Sequence, residues 1–202
     1  HIPSQTGTPA MDSTVFLSDG YGGGSGIVIA KYLNPETPER CQVDLLTAYH
    51  VVYDETWNGD TQEWEGSYAI LNVGEEEFNV WYGDAERDLA LTRGTIRHPC
   101  SALSVPAIRD HITFGEPIWR TGYPFGQRDV MVGHAGECTF TFAKDNPRSL
   151  LDWCMHSIAG AVGTSGSGIW YGPLLVGIVQ MGPDGDSGPY VISIHPRHIV
   201  HF

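Results

Sequence analysis

Apolar residues in this chain come in short, strand-length runs punctuated by glycine, proline, asparagine and acidic residues. Several runs alternate with polar positions at a period of two, as half-buried strands do. The pattern predicts strands at 14–17, at 27–30 after the glycine-rich run Gly20-Tyr21-Gly22-Gly23-Gly24-Ser25-Gly26, and at 43–48, where the run stops at Tyr49-His50-Val51-Val52. A hairpin pair is expected at 67–73 and 78–82, joined by Gly74-Glu75-Glu76-Glu77, and another strand begins at Leu89-Ala90-Leu91. Residues 53–66, polar and acidic, read as an exposed loop. The less periodic stretch 95–116, with Pro99 and Pro106, reads as the connection between two halves, 1–105 and 106–202. The second half predicts a strand opening at Pro117, then strands at 130–132, 136–142 (Cys138, Phe140 and Phe142 alternate), 150–156, 169–170, 174–179 and 190–194, and a terminal segment of helical character.

Composition sharpens this into an all-β reading. Among 202 residues, 25 Gly and 13 Pro supply turns for short strands rather than long helices, and 41% hydrophobic content is enough for a packed core. A net charge of -13 excludes nucleic acid and anionic membrane as main partners, because phosphate binding needs clustered Lys and Arg. No apolar run approaches membrane-spanning length, and the opening His1-Ile2-Pro3-Ser4 lacks the charged and apolar regions of a signal peptide, although one could have been removed. Cys41, Cys100, Cys138 and Cys154 form no CxxC pair, so no zinc knuckle is expected. They fit two disulfides or four buried thiols, and the thiols are favoured because free cysteine is among the most buried residue types. The carboxylates of 53–66 lack EF-hand spacing. His195, His198 and His201 recur every third residue without a carboxylate or cysteine beside them, which fits a closing amphipathic helix. No metal and no cofactor is expected.

Candidate chemistry centres on Gly163-Thr164-Ser165-Gly166-Ser167-Gly168. A serine hydroxyl reacts at neutral pH only if a base takes its proton and donors hold the oxyanion that forms. Glycines around Ser165 allow a tight turn that aims backbone N–H groups at one point. Upstream, Thr47-Ala48-Tyr49-His50-Val51 resembles the histidine segment of trypsin/chymotrypsin-like serine proteases, and Asp88-Leu89-Ala90-Leu91 resembles that family's aspartate segment; the nearby Asp84 lacks the apolar run after it. Gly122-Tyr123-Pro124-Phe125-Gly126 resembles a segment of the bacterial high-temperature-requirement proteases, and Gly-Thr-Ser-Gly-Ser resembles the nucleophile segment of flavivirus proteases. Gly185-Asp186-Ser187-Gly188-Pro189 looks more like the best-known protease motif, yet too little chain follows Ser187 to complete a barrel around it. The order His50, Asp88, Ser165 is the chymotrypsin-like one.

The resemblance implies two six-stranded antiparallel β-barrels with a short C-terminal helix, the first (1–105) carrying His50 and Asp88 and the second (106–202) carrying Ser165. It implies a serine endopeptidase acting on protein or peptide substrates, with an oxyanion hole from the N–H groups of Gly163 and Ser165. The implied pocket for the residue before the cut is formed by Ala159, Gly160, Val179, Gln180, Met181 and Gly182. No acidic residue falls at its base, so an apolar or small residue is expected there, with Asp184 and Asp186 read as turn formers. A silent peptide-binding member of the fold and a polyprotein-processing viral protease are the alternatives. The chain departs from the family in having Gly168 where proline is usual, and from its animal digestive branch in having no cysteine partner for Cys41 just after His50 and no Ile-Val-Gly-Gly start, so it resembles bacterial and viral members more closely and activation by a freed terminus is not expected.

Overall fold

The structure is a computed structural model that describes residues 9–20, 22–139, 151–181 and 188–202. Its strands are β1 (Thr14–Ser18), β2 (Gly23–Leu33), β3 (Cys41–Ala48), β4 (Tyr53–Asn58), β5 (Glu63–Tyr68), β6 (Leu71–Val73), β7 (Glu76–Asp84), β8 (Leu89–Ile96), β9 (Pro117–Gly122), β10 (Asp129–His134), β11 (Trp153–His156), β12 (Gly168–Tyr171), β13 (Leu174–Met181) and β14 (Val191–Ile194). Three short helices, α1 (Pro9–Ser13), α2 (Tyr49–Val52) and α3 (Pro196–Val200), complete the described elements with two 3-10 turns, Cys100–Ala102 and Pro124–Gly126. The first barrel closes in the order β1-β2-β3-β8-β7-β6. The second sheet runs β10-β9-β12-β13-β14-β11 and curls until its two edges meet at one bridge, between His134 and Ser157. The architecture is all-β, as the sequence predicts.

Burial shows why the strands lie where they do. Val43 and Leu45 of β3 point into the first barrel with Val15, Leu17, Val28, Leu71 and Phe78. Ile118, Ile158, Ile169, Val176, Val179 and Val191 fill the second. A third cluster joins the two sheets: Ile27, Leu46, Leu89 and Leu91 pack with Trp119, Trp170, Leu175 and Ile178. Strand β3, which leads to His50, is thereby packed into the same apolar layer as β12 and β13, which follow Ser165. Burial of this kind is worth about 25 cal/mol per Å² of apolar surface, and it fixes the two halves of the site against each other.

Three of the expected elements need correction. Residues 53–66 are not a loop: β4 and β5 pair from Tyr53↔Tyr68 to Asn58↔Glu63 as a separate two-stranded ribbon. Only Tyr53, at the base of β4, packs against the first barrel's core, and no residue of either strand is fully buried, so the apolar burial that marks most other strands is missing here. For the same reason the single strand expected at 67–73 is split between β5 and β6. Residues 136–139 are not in a strand, while 140–142 and 150 lie outside the described residues.

The four cysteines are disulfide-bonded, not thiols: Cys41 pairs with Cys100 and Cys138 with Cys154. Cys41 stands opposite Ile96 in the β3–β8 ladder, so the turn that follows β8 brings Cys100 back to it although 59 positions separate them. Replacing both Cys41 and Cys100 with alanine is expected to lower stability by about 2 to 5 kcal/mol, because the crosslink restrains a long stretch of unfolded chain. The check is a shift of the denaturation midpoint with little change in the folded-state spectrum.

Candidate active site

Strand β3 ends at Ala48 and the chain turns at once into the single turn α2, which sets His50 at the rim of the first barrel. Asp88 precedes β8, the neighbour of β3, and is fully buried. Its φ of 51° lies in the left-handed region, which Asp tolerates better than most residues. Asp88 holds the histidine segment at three points: its carbonyl accepts from Tyr49 N–H (3.0 Å), Oδ1 accepts from His50 N–H (3.0 Å), and Oδ2 lies 2.8 Å from His50 Nδ1. A carboxylate can only accept there, so the neutral imidazole carries its proton on Nδ1 and leaves Nε2 as an acceptor. Nε2 is 2.7 Å from Ser165 Oγ. Asp84, the competing carboxylate, instead accepts from the backbone N–H of Arg87 (3.0 Å) and pairs with its guanidinium. Next to His50, burial and the neighbouring Tyr68 push the Tyr49 hydroxyl up to about 12, so it stays neutral.

The turn around Ser165 is held from both sides. Gly163 (φ 88°) and Gly166 (φ 80°) are left-handed, and a Cβ on either would strike backbone, 2.6 Å from Tyr123 O and 1.9 Å from Ser25 O respectively. Thr164 N–H is tied to Ala161 O at 2.9 Å, whereas the N–H groups of Gly163 and Ser165 on either side of it donate to no acceptor among the described residues. Gly168, where the resembling family has proline, is required locally, since Trp170's indole lies 2.8 Å from where a Cβ would sit.

Ser25 is the residue that sequence reasoning missed. Its N–H donates to Ser165 O (2.7 Å), its hydroxyl donates to Gly163 O (3.1 Å) and accepts from Tyr123 N–H (2.9 Å), and its carbonyl accepts from Thr47 Oγ1 (2.7 Å). One side chain of the first barrel thus braces the turn carried by the second. The only available signal was Gly24-Ser25-Gly26, which as a sequence reads as a tight turn; Gly24 is needed because a Cβ there would lie 2.9 Å from Ser165 O.

The expected pocket residues fall in different settings. Gly160 bridges Gly188 through both backbone groups, and a Cβ on it would meet Val191 at 3.0 Å. Ala159 is half-buried beside it. Val179 is a core residue whose backbone ties down the turn, accepting from Gly166 N–H (2.7 Å) and donating to Ser167 O (2.9 Å). Gln180 is also buried: its Oε1 accepts from Ile194 N–H (2.9 Å), and its carbonyl is 3.4 Å from Ser165 Oγ. The Met181 side chain, Gly182, Asp184, Asp186 and Ser187 lie outside the described residues. No group of three or more metal-ligating side chains occurs among the described residues. His195 caps α3, accepting from Arg197 N–H, and His198 lies 3.4 Å from Asp152.

No family model and no curated protein matches the chain. Solved structures do. The Rv3671c protease of M. tuberculosis, in an inactive form, superposes with a TM-score of 0.65 at 16% identity over 95% of this chain and 87% of its own. The HtrA-type protease AlgW with a tripeptide gives 0.66 at 18% identity over 96% of this chain and 59% of its own. Deg5 gives 0.63 at 15% identity over 98% and 88%. At such identities the likeness is one of architecture. In architecture the chain is a chymotrypsin-like double β-barrel, similar to HtrA-type and Deg serine proteases.

Proposed function

We propose that the chain is a serine endopeptidase, a single catalytic unit in which the half spanning 1–105 supplies His50 and Asp88 and the half spanning 106–202 supplies Ser165. The observation that carries this is the unbroken relay from buried Asp88 through His50 to Ser165 Oγ, at 2.8 and 2.7 Å. His50 Nε2 takes the proton as Ser165 Oγ attacks a peptide carbonyl, then gives it to the leaving amine; water repeats the sequence on the acyl-enzyme. Asp88 keeps the imidazole in the reactive tautomer and stabilises its cation. The N–H groups of Gly163 and Ser165 hold the developing oxyanion. The AlgW structure with a tripeptide supports a peptide substrate for a chain of like fold. Uncharged Ala159 and Gly160 favour a small or apolar residue before the cut.

A fluorophosphonate probe tests the nucleophile: wild type should be labelled and Ser165→Ala should not. Equal labelling of the two, or none of wild type, defeats the assignment and leaves the silent peptide-binding reading. Gly163→Ala tests the oxyanion role. It should lower kcat by about 10²- to 10³-fold with a smaller change in KM, because the strained turn no longer presents its N–H to the transition state. Steady-state kinetics on a peptide substrate reads the split.

A further inference from the structure

The β4–β5 ribbon is amphipathic: Tyr53 at its base packs against the first barrel, but beyond it the aromatic face covers no core among the described residues. Direct cross-strand pairing sets Tyr53 and Tyr68, Glu55 and Gly66, and Trp57 and Trp64 on one face, leaving Asp54, Thr56, Asn58, Glu63, Glu65 and Ser67 on the other. On the first face Tyr53 packs against Tyr68 at 5.4 Å, Trp57 against Trp64 at 5.6 Å, and the Tyr53 ring lies across Gly66. An aromatic face of this kind normally rests on a core. Here Trp57 and Trp64 remain 53% and 65% exposed, and the ribbon pairs with no other strand among the described residues.

Charge identifies what fits. The segment from Cys41 to Glu86 contains no Lys or Arg, and the ribbon with its turn carries Asp54, Glu55, Asp60, Glu63 and Glu65. Anionic lipid and nucleic acid are repelled by such a surface. Lys and Arg side chains suit it twice over, laying their stems and charge on indole faces and their charge near the carboxylates. The position matters as well. The aromatic stripe begins at Tyr49, which stacks on Tyr53 at 5.0 Å and is the immediate neighbour of His50. His50 hands its proton to the leaving amine, so the product beginning with that amine lies on His50's side of the cut.

We propose that the ribbon is a docking arm for the protein substrate, binding an extended, Lys/Arg-rich segment on the leaving-group side of the scissile bond through Trp57, Trp64 and Glu55 on their face. The arm stands on its own geometry; that the docked segment is substrate rests on the endopeptidase reading above.

The test uses the full chain as Ser165→Ala, so that nothing is cut, and follows the fluorescence anisotropy of a labelled alternating Lys-Thr octapeptide and its Glu-Thr counterpart. The Lys-Thr peptide should bind and the Glu-Thr peptide should not, with affinity falling as salt rises from 50 to 300 mM. Adding Trp57→Ala and Trp64→Ala should weaken binding at least tenfold while circular dichroism stays native, and Glu55→Lys should also weaken it. Unchanged affinity in either variant overturns the proposal. So does a wild-type dimer in sedimentation that the tryptophan changes dissociate, since the face would then belong to a second copy. Fluorophosphonate labelling of wild type is read separately: its failure sinks the endopeptidase reading without touching peptide binding, and peptide binding can fail while labelling succeeds.

Discussion

Ser165→Ala, His50→Ala and the double variant are expected to lose peptide hydrolysis to the same depth, about 10⁶-fold in kcat. The equality is the informative part. In the proposed mechanism Ser165 Oγ attacks only while His50 Nε2, 2.7 Å away, can accept its proton, so removing either group removes the same event. A second deletion then has nothing left to remove, and the residual rate comes from binding and the oxyanion donors. Burst-phase and steady-state assays on one peptide substrate decide it. If the double variant falls by the product of the two single losses, the residues act independently and the relay is wrong. Peptide binding should survive in all three, which separates lost chemistry from lost folding.

His50, Asp88 and Ser165, which the structure brings into one line of contacts, stand out in the sequence through family resemblance and because each lies beside a strand. Leu45, Leu46 and Ala48 are buried and lead into His50; Leu89, Ala90 and Leu91 are buried and follow Asp88; Ile169 and Trp170 are buried and follow Ser165. Apolar periodicity marks such strands; the resemblance to a known family's segments, not the periodicity, singles out the polar residue beside each. What was illegible lacks that signature. The β4–β5 ribbon has no buried face, so strand pairing by backbone alone left only an acidic, aromatic stretch that resembles a loop. The Cys41–Cys100 bridge depends on the β3–β8 register, a long-range fact invisible to spacing. Ser25 and Ser165 lie far apart in sequence and meet only once the two sheets have packed. Gln180 was expected to line a pocket, and its side chain turns inward to hold Ile194 N–H instead, a choice of rotamer that no local pattern dictates.

Asp88→Asn should cost about 10⁴-fold in kcat while leaving KM and thermal stability near wild type. The substitution is conservative in every respect but one. Asn adopts the left-handed backbone that Asp88 occupies at φ 51°, and its side-chain oxygen can still accept from His50 N–H as Oδ1 does now. The change falls on Oδ2, which becomes an NH₂ group facing His50 Nδ1. Two donors cannot share that contact, so the imidazole moves its proton to Nε2, and Nε2–H has no lone pair with which to take the proton of Ser165. Asp84→Asn provides the contrast. Asp84 pairs with Arg87 and does not reach His50, so its loss should leave kcat within a factor of about three and cost roughly 0.5 to 1 kcal/mol of stability. A pH-rate profile for both variants, measured beside wild type, completes the test. If Asp88→Asn retained more than a tenth of wild-type kcat, the imidazole would not depend on Asp88 for its tautomer. The acid of the relay would then have to be sought elsewhere.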